Sequence, residues 1–341
     1  MKTELIDYYL PEERIALEPV AKRDDCRLLV LHRETGNMEH KKFVDILDYL
    51  SPQDVLVLND TRVIHARVFA QRATGAKVEI LLLHSEDKIH WTALTTRSKR
   101  LKIQEELILP NGITAKILNM ESNGIKTLLF SRPLDDTLLC EIGEIPLPPY
   151  IKNKRNPDTR DEIWYQTVFS KNTGSMASPT AGLHFSQELL DRAREKGVII
   201  QYVTLHISLA TFHPIRTTSV EEHKIHEEYY SVSQETSDTV RYARKNGNKV
   251  IAVGTTAVRS LESASKTGEI MPSSGFTDLY ITPGYAFKSC DAIITNFHTP
   301  CSTLLVLVSA FASLEKILSA YQTAIEMEYR FLSYGDAMLI T

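Results

Sequence analysis

The chain has 341 residues, 43% apolar and 24% charged, with 39 basic against 43 acidic side chains and a formal net charge of −4. That is enough apolar material for a sizeable core, so disorder is excluded, and the length predicts about two domains. A global basic coat for nucleic acid is excluded too, which leaves only local basic patches.

Cys26, Cys140, Cys290 and Cys301 contain no C-x-x-C pair. They fit neither a disulfide framework nor a zinc ribbon and point to a reducing compartment. Glu4 and Asp7 precede any apolar run, so no signal peptide is expected. The longest apolar stretch, 304–312, falls short of the ~18 residues that a membrane span needs. The expectation is a cytoplasmic chain without a membrane partner.

In chain order, 54–58 (DVLVL) reads as a strand buried on both faces. Alternating runs follow at 77–83, 89–95, 106–109, 113–118 and 125–130, with Asn111-Gly112 and Asn123-Gly124 as hairpin signals. A proline-rich segment, 145–151, closes this region. Evenly spaced strands without a helical pattern predict a small barrel or sandwich. Beyond it, 186–196 predicts a helix with Ser186 as N-cap and Gly197 as its stop. Strands at 198–207, 249–253 and 291–295 alternate with helices at 234–246, 257–266 and 303–314. The expected fold is α/β: a mixed or parallel sheet built from both chain ends (1–65 and 151–341), with a β-barrel inserted at 66–150.

Ligands of open α/β sheets usually bind beyond the carboxyl ends of the strands, and four candidate strands end in polar clusters. These are Asn59, Asp60, Thr61 and Arg62; His206 with Thr211, Phe212 and His213; Gly254, Thr255 and Thr256 with Arg259 and Glu262 on the following helix; and Asn296, Phe297 and His298 with Ser302 and Thr303. Gly254-Thr255-Thr256 at a helix start is suited to an anion or carboxylate. The stretch 173–185, with Thr180, Gly182, His184 and Phe185, is low in bulk and lets backbone approach a ligand closely.

No two glycines stand two residues apart and no G-K-[ST] occurs, which eliminates a dinucleotide fingerprint and a phosphate loop. His223, His226 and Glu227, with His213 upstream, match no zinc spacing and read as a solvated acidic face, so no metal is expected. A metal-dependent hydrolase built on these histidines is the weakest reading. Two patches carry four positive charges each: 97–102, with Arg97, Lys99 and Arg100, and 152–160, with Lys152, Lys154 and Arg155. A polyanion could span them.

The stretches 56–63 (LVLNDTRV), 143–151 (GEIPLPPYI), 175–185 (SMASPTAGLHF), 253–262 (VGTTAVRSLE), 277–287 (TDLYITPGYAF), 294–308 (ITNFHTPCSTLLVLV) and 334–340 (YGDAMLI) together resemble the S-adenosylmethionine:tRNA ribosyltransferase-isomerase family of queuosine biosynthesis. The resemblance covers essentially the whole chain and implies a sheet domain with an inserted barrel. It implies transfer of the ribosyl part of the co-substrate S-adenosylmethionine onto 7-aminomethyl-7-deazaguanine at the wobble position of a tRNA with a GUN anticodon. Epoxyqueuosine-tRNA would form, with adenine and methionine released. The chain departs from the family pattern at Ser178, Ser208, Ala210, Ala257 and Cys301, which keeps open a tRNA-binding paralogue with lost or altered catalysis.

Such a reaction needs a base for the acidic C5′ protons beside the sulfonium, an acid for departing adenine, and donors for the methionine carboxylate. A flipped base must also reach the site. On this reading His184, His206 and His298 are the proton-transfer candidates, and Asp60 orients the ribose or faces the sulfonium. Thr255 and Thr256, helped by Arg259, take the carboxylate, while Asn296 and Phe297 hold and stack adenine. Asn59, Thr61, Arg62, Thr180, Gly182, Phe185, Glu262, Ser302 and Thr303 complete the expected nucleoside site. A monomer is expected.

Overall fold

The unbroken apolar runs become strands with no exposed face, and the alternating runs become strands with one. The computed structural model describes residues 1–121, 124–208 and 214–341, so the readings placed on Asn123, Ala210, Thr211, Phe212 and His213 lie outside the described residues.

In chain order the strands are β1 (Arg27–Leu31), β2 (Met38–Lys42), β3 (Val55–Asn59), β4 (Thr61–Val63), β5 (Arg67–Arg72), β6 (Lys77–His84), β7 (His90–Thr95), β8 (Glu106–Ile108) and β9 (Thr114–Met120). They continue with β10 (Lys126–Phe130), β11 (Gly143–Glu144), β12 (Asn172–Ser175), β13 (Ile199–Leu205), β14 (Glu228–Val232), β15 (Val250–Val253), β16 (Ser273–Thr277), β17 (Ala292–Asn296) and β18 (Ala337–Ile340).

Among the described residues the main sheet has nine strands in the order β16-β14-β13-β3-β15-β17-β18-β1-β2. Its centre is parallel: β13, β3, β15 and β17 run in one direction, so their carboxyl ends share one edge. Every residue of β3, β15 and β17 is buried, because helices or turns cover both faces of the sheet. On one face Val55, Val57, Ala252 and Ile293 pack against the helices Gln234–Lys245, Thr255–Ala264, Thr303–Ala312 and Leu314–Glu326. On the other, Leu56, Leu58, Val253 and Ile294 meet the helix Gln187–Glu195 and the short 3-10 segment Phe43–Tyr49. Ser186 caps the helix Gln187–Glu195 by accepting from Leu189 N at 3.0 Å, and Gly197 beyond its end adopts φ +88°.

The second sheet closes into a barrel, β5-β6-β7-β10-β9-β8, sealed by the pairing of β5 with β8 and extended outside by β11. Closure removes the exposed edges that such short strands would otherwise carry. Strand β6 alternates, with Val78, Ile80 and Leu82 inside the barrel. Asn111 and Gly112 join β8 to β9 with φ +60° and +69°, a turn geometry that Asn-Gly tolerates.

The predicted strands and helices are present with end shifts of a few residues. One helix differs more. The run 303–314 breaks at Ser313, whose φ is +76°, and a separate helix, Leu314–Glu326, follows. Strands β1, β2, β14, β16 and β18 had no reading in the sequence. No single helix among the described residues is long and apolar enough to cross a membrane.

Candidate functional site

At the carboxyl edge of the parallel strands lies a cleft lined by Ser178, Pro179, Thr180, Ala181, Gly254, Thr255, Thr256, Thr295, Asn296 and His298. Gly254 follows β15 with φ +87°, a conformation that a side chain would strain, and turns the chain into the helix Thr255–Ala264. The first N–H groups of that helix therefore open onto the cleft without intrahelical partners. Thr180 Oγ1 donates to Asn296 Oδ1 at 3.0 Å, which ties the 3-10 turn Thr180–His184 to the end of β17. Ser178 is 2% exposed, and its hydroxyl has no partner among the described residues.

Asn59, at the end of β3, holds this edge together. Its side-chain amide donates to Leu205 O at 3.0 Å and to Thr256 Oγ1 at 3.1 Å, and its Oδ1 accepts from Leu205 N at 3.0 Å and from Thr61 N at 3.2 Å. Asp60 faces the neighbouring groove. Both of its carboxylate oxygens accept from Asn172 Nδ2, at 3.1 and 3.0 Å, and Oδ1 also accepts from Thr204 Oγ1 at 2.7 Å. Thr61 is buried and Arg62 is exposed.

The three histidines occupy different settings. His184 is 4% exposed; Asn296 Nδ2 meets its Nε2 at 3.0 Å and Cys26 Sγ its Nδ1 at 3.2 Å. Because an amide N–H can only donate, Nε2 accepts and the ring proton sits on Nδ1, facing sulfur. Burial, reinforced by Arg23 and Arg330, pushes the His184 pKa down to about 3, so the ring is neutral at working pH. Burial does the same to His298, also to about 3; its Nε2 meets Thr295 Oγ1 at 2.9 Å and its backbone N donates to the Tyr321 hydroxyl at 3.0 Å. His206 is partly exposed and bonded through Nδ1 to Thr61 Oγ1 at 2.8 Å. Its pKa is lowered chiefly by burial, with Asp60 opposing the shift. A Cβ on Gly174 would lie 2.8 Å from His206 Nε2, so only glycine leaves room for this ring.

Several side chains expected to contact the ligand are engaged within the fold. Phe297 is fully buried, with its ring 4.8 Å from Phe331, 5.3 Å from Tyr321 and 5.7 Å from Tyr329, so no face remains for adenine. Phe185 packs edge-on against Phe43 at 4.9 Å in the core. Arg259 forms a buried ion pair with Glu228 and donates to Leu279 O at 3.2 Å and Thr277 O at 3.3 Å, so its charge does not reach a carboxylate in the cleft. Glu262 accepts from the backbone of Lys288 and Ser289 and from the Tyr285 hydroxyl. A Cβ on Gly182 would lie 2.8 Å from Phe169 Cζ, so this glycine serves packing. Ser302 caps its helix by accepting from Leu305 N at 3.2 Å, whereas the buried Thr303 hydroxyl has no partner among the described residues.

The two basic patches also part company. Lys152 pairs with Glu79 at 2.7 Å, Lys154 with Glu12 at 2.6 Å and Arg155 with Asp161 at 2.5 Å, so the second patch is neutralised from within the chain. Arg97, Lys99 and Arg100 stand exposed on the barrel and form no ion pair among the described residues. His223 stacks edge-on against Tyr280 at 5.9 Å.

Sequence reasoning missed a set of rings beside His206. Tyr229 of β14 stacks on His206 at 5.6 Å and 22°, Phe276 of β16 meets Tyr229 at 5.9 Å, and His84 at the end of β6 meets Phe276 at 6.1 Å. Its only available signal was the alternation of 228–232 (EYYSV), where Tyr229 and Ser231 stand on the face opposite Glu228, Tyr230 and Val232.

A family model described as a queuosine biosynthesis protein matches residues 3–340 of the chain. The chain is 46% identical over 341 residues to an S-adenosylmethionine:tRNA ribosyltransferase-isomerase of Carboxydothermus hydrogenoformans, with all of both chains covered. It is 47% identical over 340 residues to one of Thermotoga petrophila, again with full coverage of both. The crystal structure of the S-adenosylmethionine tRNA ribosyltransferase of Thermotoga maritima is similar with a TM-score of 0.58 at 38% identity, covering 99% of this chain and 100% of that one.

Proposed function

Because the chain belongs to the S-adenosylmethionine:tRNA ribosyltransferase-isomerase family, we propose that it transfers and isomerises the ribosyl moiety of S-adenosylmethionine onto 7-aminomethyl-7-deazaguanine at the wobble position of tRNA. Epoxyqueuosine-tRNA is the product, and adenine and methionine leave. The tRNA carries a GUN anticodon, the enzyme acts as a cytoplasmic monomer, and the reaction calls for no metal. The barrel, 66–150, is the inserted domain, and 1–65 with 151–341 is the catalytic one.

The observation that carries this reading is the cleft that joins Thr180, Thr255, Thr256, Asn296 and His298 from separate parts of the chain at the carboxyl edge of one sheet. The methionine carboxylate takes the free N–H groups at the start of Thr255–Ala264, with the buried Ser178 hydroxyl as a further donor. Thr180 and Asn296 position the nucleoside, and Asp60 lies on the groove side, toward the RNA. His184, bonded to Asn296, and His298, bonded to Thr295, are neutral and position the end of β17 rather than exchange protons. His206 carries the proton transfer, because it is the most accessible of the three and its Nε2 has no partner among the described residues.

The test mixes the protein, S-adenosylmethionine and tRNA bearing 7-aminomethyl-7-deazaguanine. Adenine in the supernatant and a mass gain on the tRNA are expected, and His206→Ala should lower kcat by about 10²-fold or more. Neither product with the wild-type protein would overturn the reading.

A further inference from the structure

The outer face of the sheet's antiparallel edge carries rows of side chains that run outward from His206 and Asp60 and are not part of the cleft itself. In β14, Tyr229 and Ser231 share one face. Register places Ser231 opposite Thr204 of β13, and Tyr229 opposite Phe276 and Ser231 opposite Ser274 of β16. Two parallel lines of side chains result. Hydroxyls (Ser274, Ser231, Thr204) lead to Asp60, and rings (Phe276, Tyr229, His206) lead to Thr61. Ser231 and Thr204 of the hydroxyl line, with Asp60, lie in a groove whose walls include Lys171, Asn172, Tyr202 and Glu235.

We propose that this face holds the anticodon loop of the tRNA, with unpaired bases stacked on Tyr229 and Phe276 and the backbone running along the groove past Lys171. The proposal rests on the ribosyltransferase reading only for the identity of the RNA.

Two features favour RNA over a protein partner. Phe276 is 57% exposed and Tyr229 36%, and two of the four rings in the row are imidazoles. Such a surface is too polar for a dry interface, but it offers stacking planes and hydrogen-bonding edges to splayed bases. The nearby cation Lys171 is exposed and forms no ion pair among the described residues, so a phosphate meets it at the end of the groove away from Glu235, while Asp60 is occupied by Asn172 and Thr204. Position adds to this. At the head of the ring row Thr61 is two residues from Asn59 and His206 follows Leu205, and Asn59 is bonded to Thr256 in the cleft. A base at the head of the row therefore stands beside the place where ribose would be transferred.

A fluorescent RNA hairpin with the anticodon-loop sequence is titrated by anisotropy against wild type, Phe276→Ala, Tyr229→Ala and Phe276→Trp, with S-adenosylmethionine affinity followed by calorimetry. Each alanine variant should bind the hairpin about 10-fold more weakly, and Phe276→Trp, which keeps a plane, should bind within about 2-fold of wild type. S-adenosylmethionine affinity should not move, which shows that the variants are folded. Wild-type hairpin affinity in both alanine variants overturns the proposal. So does light scattering in which the wild type is a dimer and Phe276→Ala a monomer, because the row would then cover a second copy. Hairpin binding that weakens in the alanine variants, with no adenine release from wild type and tRNA bearing 7-aminomethyl-7-deazaguanine, overturns the enzymatic reading and upholds the surface; adenine release with unchanged hairpin binding in the variants does the reverse.

Discussion

Replacing Arg259 separates a structural cation from a ligand-binding one. The Arg259 and Glu228 side chains are 4% and 1% exposed, and Glu228 also accepts from Ser208 N at 2.7 Å. Arg259→Met removes the guanidinium beside a carboxylate that is 1% exposed, a change that costs about 3–5 kcal/mol. Globular proteins gain about 2.1 cal/mol/K of unfolding entropy per residue, which for 341 residues is about 0.7 kcal/mol/K. The expected fall in Tm is therefore about 4–7 °C. The double variant Arg259→Met with Glu228→Gln should recover most of it, since the buried negative charge is gone. Thermal melts followed by circular dichroism measure this, and the KM for S-adenosylmethionine is determined on the same preparations below the transition. The KM should stay within about 2-fold, because all three guanidinium nitrogens are bonded within the fold, to Leu279 O, Glu228 and Thr277 O, and Arg259 does not line the cleft. An unchanged Tm with a KM raised 10-fold or more would refute the assignment and return Arg259 to the methionine carboxylate.

Three further outcomes are expected. His184 and His298 have folded pKa values of about 3, below the ~6.5 of an unfolded histidine, so the unfolded chain binds more protons between those values. Their contribution to stability is complete above pH ~6.5 and is lost as the pH falls toward 3, on the order of 2 kcal/mol per histidine at pH 5, which urea melts at pH 7.5 and 5 will read. Gly143→Ala places a methyl against the His65 carbonyl oxygen and 2.9 Å from Leu139 O, where β11 joins β5, and should cost about 2–3 kcal/mol by the same melts. Changing Arg97, Lys99 and Arg100 to Gln should lower the slope of log K against log salt for RNA binding by about 2–3. The same change at Lys152, Lys154 and Arg155 should lower Tm and leave the slope unmoved.

Much of the architecture was legible because its causes are local. Continuous apolar runs at 54–58, 249–253 and 291–295 identify strands covered on both faces, and alternation at 77–83 identifies one wall of the barrel. Ser186 and Gly197 mark the limits of a helix through their own hydrogen bonding and φ. The strand-end clusters, together with the family resemblance, located the edge on which the cleft lies.

What the sequence could not decide is which of those polar groups are spent. Arg259 is taken by Glu228, Lys152 by Glu79 and Lys154 by Glu12, partners 31, 73 and 142 positions away. Strand β18 was unreadable for the same reason, since its neighbour β1 lies some three hundred residues earlier. Local pattern reports how a residue meets its own turn or strand. Whether a charged or aromatic side chain remains available to a ligand depends on neighbours brought close only by folding, so availability at this site was settled by tertiary packing alone.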